Sequence, residues 1–596
     1  MGAVVRSTAS PQEDELEEPT FTVWPQVERA LLVLSCAFVA GSEILLDVER
    51  QAKLQLVIFI NAIFLTTVFG RSVFQRAWRH RQDPLPFLVE SWFDVLLATL
   101  GTGLLFFAPR AAAGLLVVRL CIQSISRVAD SPFAHRILAI ASPRPSQTVA
   151  LSFVAMIAVG SILLMIPAAT TDGMGVNFTD AAFTMTSAVT VTGLVVHDTG
   201  SHWTAYGQVV LLVFMQVGAV GIMVFAASFA VLLGGNLSGK GREGIELSGM
   251  GGLLDVSTSE GLKKLIVAVA GTIFIAELAG FLALFGFWAI GQLELPAQYD
   301  DFAGALWWSL FFSVSAFCHA GFALGADSLV PLQENPWVLW VFILSITASQ
   351  FGFPVIADLY SSGKWTVLRP RAVWSRLHIQ TKVVLAATAG FNLVGMILFL
   401  FFEYDGALNG LSIVDKLHSA LFMSVTTRSA GFNTVPTDAL SAPTIIILVL
   451  WMFVGAAPGS VGGGIRTTTA AVVAKATLAM VQGRKDVDVF GRRLPEVVVY
   501  RSISIVLIAG LLVTGFLVLL TATQELPFAQ LIFEAMSAFG TVGLSMGVTS
   551  DLDPVGRWII TILMYVGRVG PLTMALAVGR PKPGKYRYPV GEIAVG

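Results

Sequence analysis

A seven-residue pattern that ends in glycine occurs four times in the chain. It reads SAVTVTG at 187–193, SAFCHAG at 315–321, VTTRSAG at 425–431 and SAFGTVG at 537–543. The copies align without a gap, and their glycines are spaced by 128 residues from 193 to 321, 110 from 321 to 431 and 112 from 431 to 543. Glycine at one place in every copy indicates backbone that turns where a side chain would clash.

Four such segments around a common axis could present backbone carbonyl oxygens that replace the hydration shell of a cation. Non-helical backbone at membrane depth is tolerated only where it is buried in protein or lines a wet cavity. We therefore predict an ion-selectivity filter, with a cation at Gly193, Gly321, Gly431 and Gly543. The predicted lining adds the two residues before each glycine: Val191 and Thr192, His319 and Ala320, Ser429 and Ala430, and Thr541 and Val542.

The composition indicates that a lipid bilayer surrounds these segments. Of 596 residues, 55% are hydrophobic and 13% are charged, whereas charged residues make up about a quarter of a soluble domain. The three cysteines lie far apart, the seven histidines are scattered, and the net charge is −2. We therefore predict an all-α polytopic membrane protein that is not an enzyme, carries no covalent cofactor and binds no nucleic acid.

Each glycine pattern lies between two apolar runs that are near or above the length of about 20 residues needed to span a bilayer. The first runs cover about 149–169, 265–290, 383–402 and 502–521, and the second runs about 206–233, 337–359, 442–480 and 555–578. This order predicts four helix–pore loop–helix repeats. The predicted divisions are a flexible acidic N-terminus (1–27), N-terminal membrane helices (28–142) and repeats at 143–240, 241–363, 364–494 and 495–596.

Basic residues recur in the loops on one side of the predicted spans. By the positive-inside rule these loops and both termini are cytoplasmic, and the four patterns lie towards the outer side. The apolar run 442–480 is too long for one span, and its segment 455–464, GAAPGSVGGG, holds five glycines and a proline. Such a segment does not suit a continuous helix. We predict a break at mid-membrane, and a passive kink is the alternative to a functional loop.

Two arginines fall within the predicted spans or pore loops. Arg428 lies inside the third pattern, and we expect it to point away from the axis and to pair behind the filter, with Glu534 as a candidate partner. Arg568 lies on the second helix of the fourth repeat, and we expect it to face the cavity or the 455–464 loop because an intramembrane charge is otherwise too costly.

At these residues the sequence resembles the Trk/Ktr/HKT superfamily of cation-uptake proteins, and within it the KtrB-like membrane subunit of bacterial potassium uptake systems. Two positions depart from the family pattern: His319 stands where asparagine is usual, and Gln350 where glycine is usual. The matching stretches are TSAVTVTGL (186–194), MQVGAVGIM (215–223), SAFCHAGFAL (315–324), TTRSAGFNT (426–434), PGSVGGGIRTTT (458–469), SAFGTVGLS (537–545) and GRVGPLT (567–573).

The resemblance implies a pseudo-fourfold pore in each subunit, a homodimer in the cytoplasmic membrane, and a cytosolic regulatory ring of the KtrA/TrkA type as a separate chain. A nucleotide would then act only through that partner. It also implies channel-like potassium uptake, with potassium at Gly193, Gly321, Gly431 and Gly543, because glycine at all four positions goes with potassium selectivity in the family. The alternative is a secondary transporter that couples potassium or sodium uptake to an ion gradient. The implied intramembrane gate comprises Gly455, Pro458, Gly459, Gly462, Gly463, Gly464 and Arg568.

Overall fold

The computed structural model of the chain describes residues 145–235, 259–362 and 374–570. The predicted N-terminal helices, both termini and parts of two predicted cytoplasmic loops lie outside these ranges. Within them the chain is almost entirely helical. The regular strands are Asp488–Val489 (β1) and Arg492–Arg493 (β2), which form a short antiparallel hairpin.

The helices fall into four successive groups, each with a long helix, a short buried pore helix and a second helix after the glycine pattern. Short 3-10 turns cover Pro167–Ala169, Val330–Leu332 and Thr437–Ala439. The first group is α1 (Pro145–Leu164), α2 (Phe178–Val189) and α3 (Ala205–Gly235), and the second is α4 (Ser259–Ala289), α5 (Phe302–Phe317) and α6 (Pro336–Ser362). The third is α7 (Ile379–Glu403), α8 (Ile413–Thr426), α9 (Ala442–Phe453) and α10 (Thr467–Val481), and the fourth is α11 (Glu496–Thr523), α12 (Phe528–Gly540) and α13 (Pro554–Val569).

Four helices of the described ranges are long and apolar enough to cross a membrane: Ala268–Ala289, Pro336–Leu359, Ile379–Glu403 and Glu496–Thr523. Their outer faces are apolar, with Ile275, Phe401 and Leu511 among the exposed side chains. The pore helices are instead buried along most of their length. Apolar residues outside and buried short helices inside are the arrangement expected of a protein that is surrounded by lipid.

The four groups close into a ring through one repeated contact. The second helix of each group packs against the pore helix of the next: α3 on α5, α6 on α8, α9 on α12 and α13 on α2. Because the last of these contacts joins the fourth group to the first, the pore helices surround a common axis. This packing brings the four glycine patterns, one after each pore helix, into the same central region.

The predicted break in the third repeat is confirmed, since α9 ends at Phe453 and α10 begins at Thr467. A second break, in α6, was not expected from the sequence. Gly352 there has φ 75° and ψ 160°, and Pro354 follows it. Positive φ at a glycine and a proline two residues later interrupt the helical hydrogen-bond ladder, so α6 is two helical pieces joined at mid-length.

Candidate functional site

The pore helices begin with polar caps and end at the glycine patterns. Asn177, Asp301 and Ser412 each accept a hydrogen bond from a backbone N–H in the first turn of α2, α5 and α8, while α12 follows Pro527. Such caps satisfy the free N–H groups of a helix start. The opposite, C-terminal end of each helix carries partial negative charge, and here it points at the central loops, where it favours a cation.

The four loops share a backbone arrangement. The glycines at 193, 321, 431 and 543 have φ of 94°, 68°, 82° and 95°. Two residues earlier, Val191, His319, Ser429 and Thr541 also have positive φ, of 55°, 61°, 81° and 46°. A left-handed conformation costs a residue other than glycine about 1–2 kcal/mol. Four such residues at equivalent positions therefore indicate a backbone conformation that the surrounding structure maintains in every repeat.

Hydrogen bonds tie each loop to the end of its own pore helix. In each repeat the residue before the glycine donates its N–H to a carbonyl of the last turns. These bonds run from Thr192 to Ser187 (2.8 Å), from Ala320 to Ser315 (2.7 Å), from Ala430 to Thr426 (2.9 Å) and from Val542 to Ser537 (2.8 Å). The third bond spans four residues and the others five, so the third loop departs slightly from the others.

The four glycines form a closed ring in which each faces the loop of the next repeat. A Cβ atom added to Gly193 would lie 2.5 Å from the carbonyl oxygen of Ala320, and one added to Gly321 would lie 3.0 Å from that of Ala430. The series continues from Gly431 to the Val542 carbonyl at 2.5 Å, and from Gly543 back to the Thr192 carbonyl at a still shorter distance. No larger side chain fits here without displacing neighbouring backbone. The predicted filter residues are therefore brought together around one axis.

The side chains at the left-handed positions differ between repeats. The Ser429 hydroxyl donates to the Thr541 carbonyl oxygen at 2.8 Å and lies 3.2 Å from the Thr541 hydroxyl. The Nε2 of His319 instead donates to the Ile346 carbonyl on α6 at 3.0 Å. Val191 has no polar side chain, so hydroxyl groups occupy this layer only in the third and fourth repeats.

The segment 455–464 contacts this hydroxyl layer. Gly463 donates its N–H to the Ser429 hydroxyl at 3.2 Å. A Cβ atom added to Gly462 would lie 3.2 Å from Cβ of Ser429, and one added to Gly463 would overlap the Thr541 side chain. The ends of the segment are joined, since Gly455 donates to the Ile465 carbonyl at 2.9 Å and the Thr467 hydroxyl donates to the Gly455 carbonyl at 2.8 Å. The loop therefore touches the predicted filter directly, through residues of small volume.

Two guanidinium groups, one buried and one partly buried, hold the carbonyls of this loop. Arg568 donates to the Val461 carbonyl and, at 3.4 Å, to that of Gly218 on α3. Arg466 donates to the Gly462 carbonyl. Arg568 is 1% exposed, and as predicted it contacts the loop. Positive charge thus lies beside the backbone carbonyls of the segment 455–464.

The predicted partner of Arg428 is wrong. Its guanidinium bonds the Thr388 carbonyl (3.4 Å), the Asn392 side-chain oxygen (3.2 Å) and the Thr467 hydroxyl (3.3 Å). Glu534 accepts a hydrogen bond from Thr549, in the loop that follows the fourth glycine. The two side chains leave their pore helices in different directions, because Arg428 lies past the end of α8 and turns back against α7 and α10. Arg428 therefore supports its own repeat from behind.

A polar network lies behind the second loop, and its hydrogen-bond partners were not predicted from the sequence. The Cys318 thiol donates to the Gln216 side-chain oxygen at 3.0 Å, and the Gln216 amide donates to Glu277 at 3.0 Å. The Ser313 hydroxyl donates to the Glu277 backbone carbonyl at 2.5 Å. The network joins α3, α4 and the second loop. Its only sequence signal is a glutamate inside an apolar run, which does not identify partners.

An ion pair at the rim formed by the starts of α2 and α13 joins the first and fourth repeats. Arg557 on α13 pairs with Asp180 in the first turn of α2, and Asp180 also lies 3.2 Å from Nε2 of His197. The His197 ring stacks on His202 with centroids 4.2 Å apart. Burial lowers the pKa of His202, and the neighbouring His197 lowers it further, which favours the neutral form of His202. We refer to Asp180, Arg557 and His197 as the rim clasp.

Fold and site together define an all-α polytopic membrane protein with four pore-loop repeats around one axis. Residues 115–584 match the family model of TrkH, described as a cation transport protein. The chain belongs to this family of cation transporters, which are not enzymes. The resemblance to the Trk/Ktr superfamily predicted from the motifs is thereby confirmed.

Several curated relatives support the same placement. The chain is 34% identical over 458 residues to Ktr system potassium uptake protein B of Bacillus subtilis, covering 76% of this chain and 97% of that protein. It is 31% identical over 464 residues to the potassium/sodium uptake protein NtpJ of Enterococcus hirae, covering 76% and 97%. The crystal structure of the potassium transporter TrkH from Vibrio parahaemolyticus has a similar fold, with a TM-score of 0.61, 18% identity and coverage of 83% of this chain and 97% of that one.

Proposed function

We propose that the chain is the ion-conducting subunit of a potassium uptake system in the cytoplasmic membrane, and that its four glycine loops form the selectivity filter. The observation that carries the proposal is the ring in which each glycine faces a carbonyl of the next repeat. A ring of carbonyls can replace the hydration shell of a cation. The names of the relatives from Bacillus subtilis and Vibrio alginolyticus, both potassium uptake proteins, favour potassium as the ion.

We propose further that the segment 455–464, with Arg568, is the gate. It is anchored to Ser429 from above and its carbonyls are held by two arginines. Its glycines remove side-chain bulk, and this lets the backbone move between a blocking and a retracted position. The loop continues into α10, which leads towards the predicted cytoplasmic side. A push on α10 would therefore favour one of the two positions.

A third proposal concerns a regulatory partner and rests on a basic loop on the predicted cytoplasmic side. The hairpin of β1 and β2 lies in the basic loop between α10 and α11 and carries exposed Arg492 and Arg493, the latter paired with Asp486 at 2.9 Å. We propose that the chain forms a homodimer and docks a separate cytosolic nucleotide-binding ring here. Co-purification from the native membrane tests this: a ring subunit should be recovered, and nucleotides should alter flux in cells. Recovery of no such subunit, together with flux that ignores nucleotides, would contradict the proposal.

The filter is tested by Gly193→Ser. A side chain at this position meets the Ala320 carbonyl, so the ring must widen and discrimination between potassium and sodium should weaken. Competitive tracer uptake of potassium, rubidium and sodium into liposomes measures the ratio. Gly221→Ser on α3 is the matched control, because outside its own helix no atom of the described residues lies within 4 Å of a Cβ added there. An unchanged ratio in folded Gly193→Ser protein would overturn the filter assignment.

The same liposomes separate channel-like flux from coupled transport. Channel-like uptake follows the potassium gradient and voltage alone, whereas a secondary transporter responds to an imposed sodium or proton gradient. We expect uptake to be unaffected when those gradients are added or collapsed at constant voltage. Uptake that requires one of them would favour the secondary transporter instead.

A further inference from the structure

Gln350, on α6, lies at a junction of the third filter loop and the gate loop. Its side chain is fully buried. The amide nitrogen donates to the Val425 carbonyl at 3.0 Å and to the Arg428 carbonyl at 3.3 Å. Both acceptors belong to the end of pore helix α8 and the start of the third loop, three residues before Gly431 in the case of Arg428. One side chain from the second repeat therefore holds the third loop in place.

The backbone around Gln350 holds the gate loop. Ala457 donates its N–H to the Gln350 carbonyl at 3.1 Å, and Phe353 donates its N–H to the Gly459 carbonyl at 3.3 Å. Between them lies the break at Gly352, where an added Cβ would lie 2.7 Å from the carbonyl carbon of Gly459. The break in α6 is thus shaped to receive the gate loop, and it exposes the backbone groups that bind it.

The nitrogen and the oxygen of the Gln350 side-chain amide differ in their number of hydrogen bonds. Its nitrogen makes two hydrogen bonds, whereas its oxygen has no partner among the described residues. A buried amide that is only partly satisfied is less stabilising than an apolar side chain that fills the same space. Overall stability therefore does not account for glutamine at this place, and its contacts point to a positional role.

We propose that Gln350 is a positioning residue that couples the gate loop to the third filter loop. A displacement of the gate loop at Ala457 moves the Gln350 backbone, and the side chain carries the movement to Arg428 and so to Gly431. The contacts that carry the coupling run from repeat three through repeat two and back to repeat three, and the coupling acts equally in both directions. The inference rests on the proposed function, since it takes the glycine ring as the filter and 455–464 as the gate.

The test is Gln350→Met, which keeps the length of the side chain and removes both donated hydrogen bonds. We expect the potassium-to-sodium uptake ratio in liposomes to fall by about fivefold, the change that corresponds to one net hydrogen bond. Potassium uptake should also rise in the intact chain but not in a chain lacking 456–463, because no gate loop remains to be released. The loss of selectivity should persist in that deletion.

The matched control is Gln208→Met on α3. Gln208 is also a buried glutamine whose amide donates to two carbonyls, those of Thr199 (3.3 Å) and Trp203 (3.1 Å), neither of which belongs to a glycine pattern. Its oxygen accepts a hydrogen bond from Trp307 at 2.8 Å. We expect this variant to lower thermal stability and to leave the uptake ratio unchanged. If Gln350→Met does not yield folded protein, Gln350→Asn keeps a buried amide and withdraws it from both carbonyls, with the same expected direction.

The outcomes separate the inference from the function on which it rests. If Gly193→Ser alters the ratio and neither Gln350 variant does, the coupling role is overturned and the filter stands. Equal shifts in Gln350→Met and Gln208→Met would also overturn it, since general loosening would explain both. If no variant, including Gly193→Ser, alters the ratio, the filter assignment and the inference both fail.

Discussion

The four repeats contribute alike to the glycine ring but unequally to the layer beneath it, which consists of the segment 455–464 and the break in α6. In the ring, all four repeats supply a glycine against the next carbonyl and a left-handed residue two positions earlier. In the layer beneath, only the third repeat supplies a loop, 455–464, and only α6 is broken to receive it, whereas α3 and α13 run without interruption through their described lengths. Coordinating an ion on an axis requires like groups from all sides, but obstructing that axis requires one mobile segment. Under the proposed function, the asymmetry of the repeats separates selectivity from control.

Deleting residues 456–463 is the strongest test of this separation. The four glycines remain, and Gln350 can still donate to the Val425 and Arg428 carbonyls that position the third loop, so the potassium-to-sodium ratio should be unchanged. Uptake without a partner should rise about tenfold or more, as for an open state stabilised by at least about 1.4 kcal/mol. Tracer uptake into liposomes beside the intact protein measures both quantities. Uptake that stays at the intact level in folded protein would mean that the loop is only a kink.

Ser429→Ala should produce a smaller effect at the point where the two layers meet. The variant removes the acceptor for the Gly463 N–H and the donor to the Thr541 carbonyl. Loss of about one net hydrogen bond between filter and gate should raise potassium uptake by about threefold to tenfold. The control is Ser419→Ala on the same pore helix, because the buried Ser419 hydroxyl has no partner in the described ranges. Equal uptake in the two variants would exclude Ser429 as a gate contact.

Arg557→Gln should have the smallest effect and none on transport. It opens the rim clasp between the first and fourth repeats, outside both layers. The Asp180 carboxylate keeps a hydrogen bond from Asn177 at 3.1 Å, so we expect a loss of about 1 kcal/mol in stability, seen as a lower melting temperature in detergent. Arg493→Gln, which breaks an exposed pair, should cost less. A changed potassium-to-sodium ratio in Arg557→Gln would show that the ring depends on the clasp.

The sequence predicted the ring better than the layer beneath it, for a physical reason. A position with positive φ and no room for Cβ admits only glycine, and four such positions left four aligned glycines in the chain. The third repeat's break was also predicted, because five glycines in ten residues exclude a helix. The break at Gly352 was not, since one glycine and one proline in a long apolar run are ordinary, and its conformation is set by contact with Gly459 from another repeat. The predicted partner of Arg428 was wrong for a similar reason, because the direction of its side chain depends on the turn after α8.

The ring is unevenly tight, and this ranks its glycines by how readily mutation could be absorbed. At Gly321 an added Cβ would lie 3.0 Å from the Ala430 carbonyl, against 2.5 Å at Gly193 and Gly431 for their facing carbonyls and less at Gly543. Gly321 also has φ 68°, inside the left-handed region open to other residues, whereas the remaining three lie at 82° to 95°. The ring should therefore tolerate a methyl group best at the second repeat and least at the fourth, so Gly321→Ala should be the mildest of the four glycine-to-alanine variants and Gly543→Ala the most disruptive.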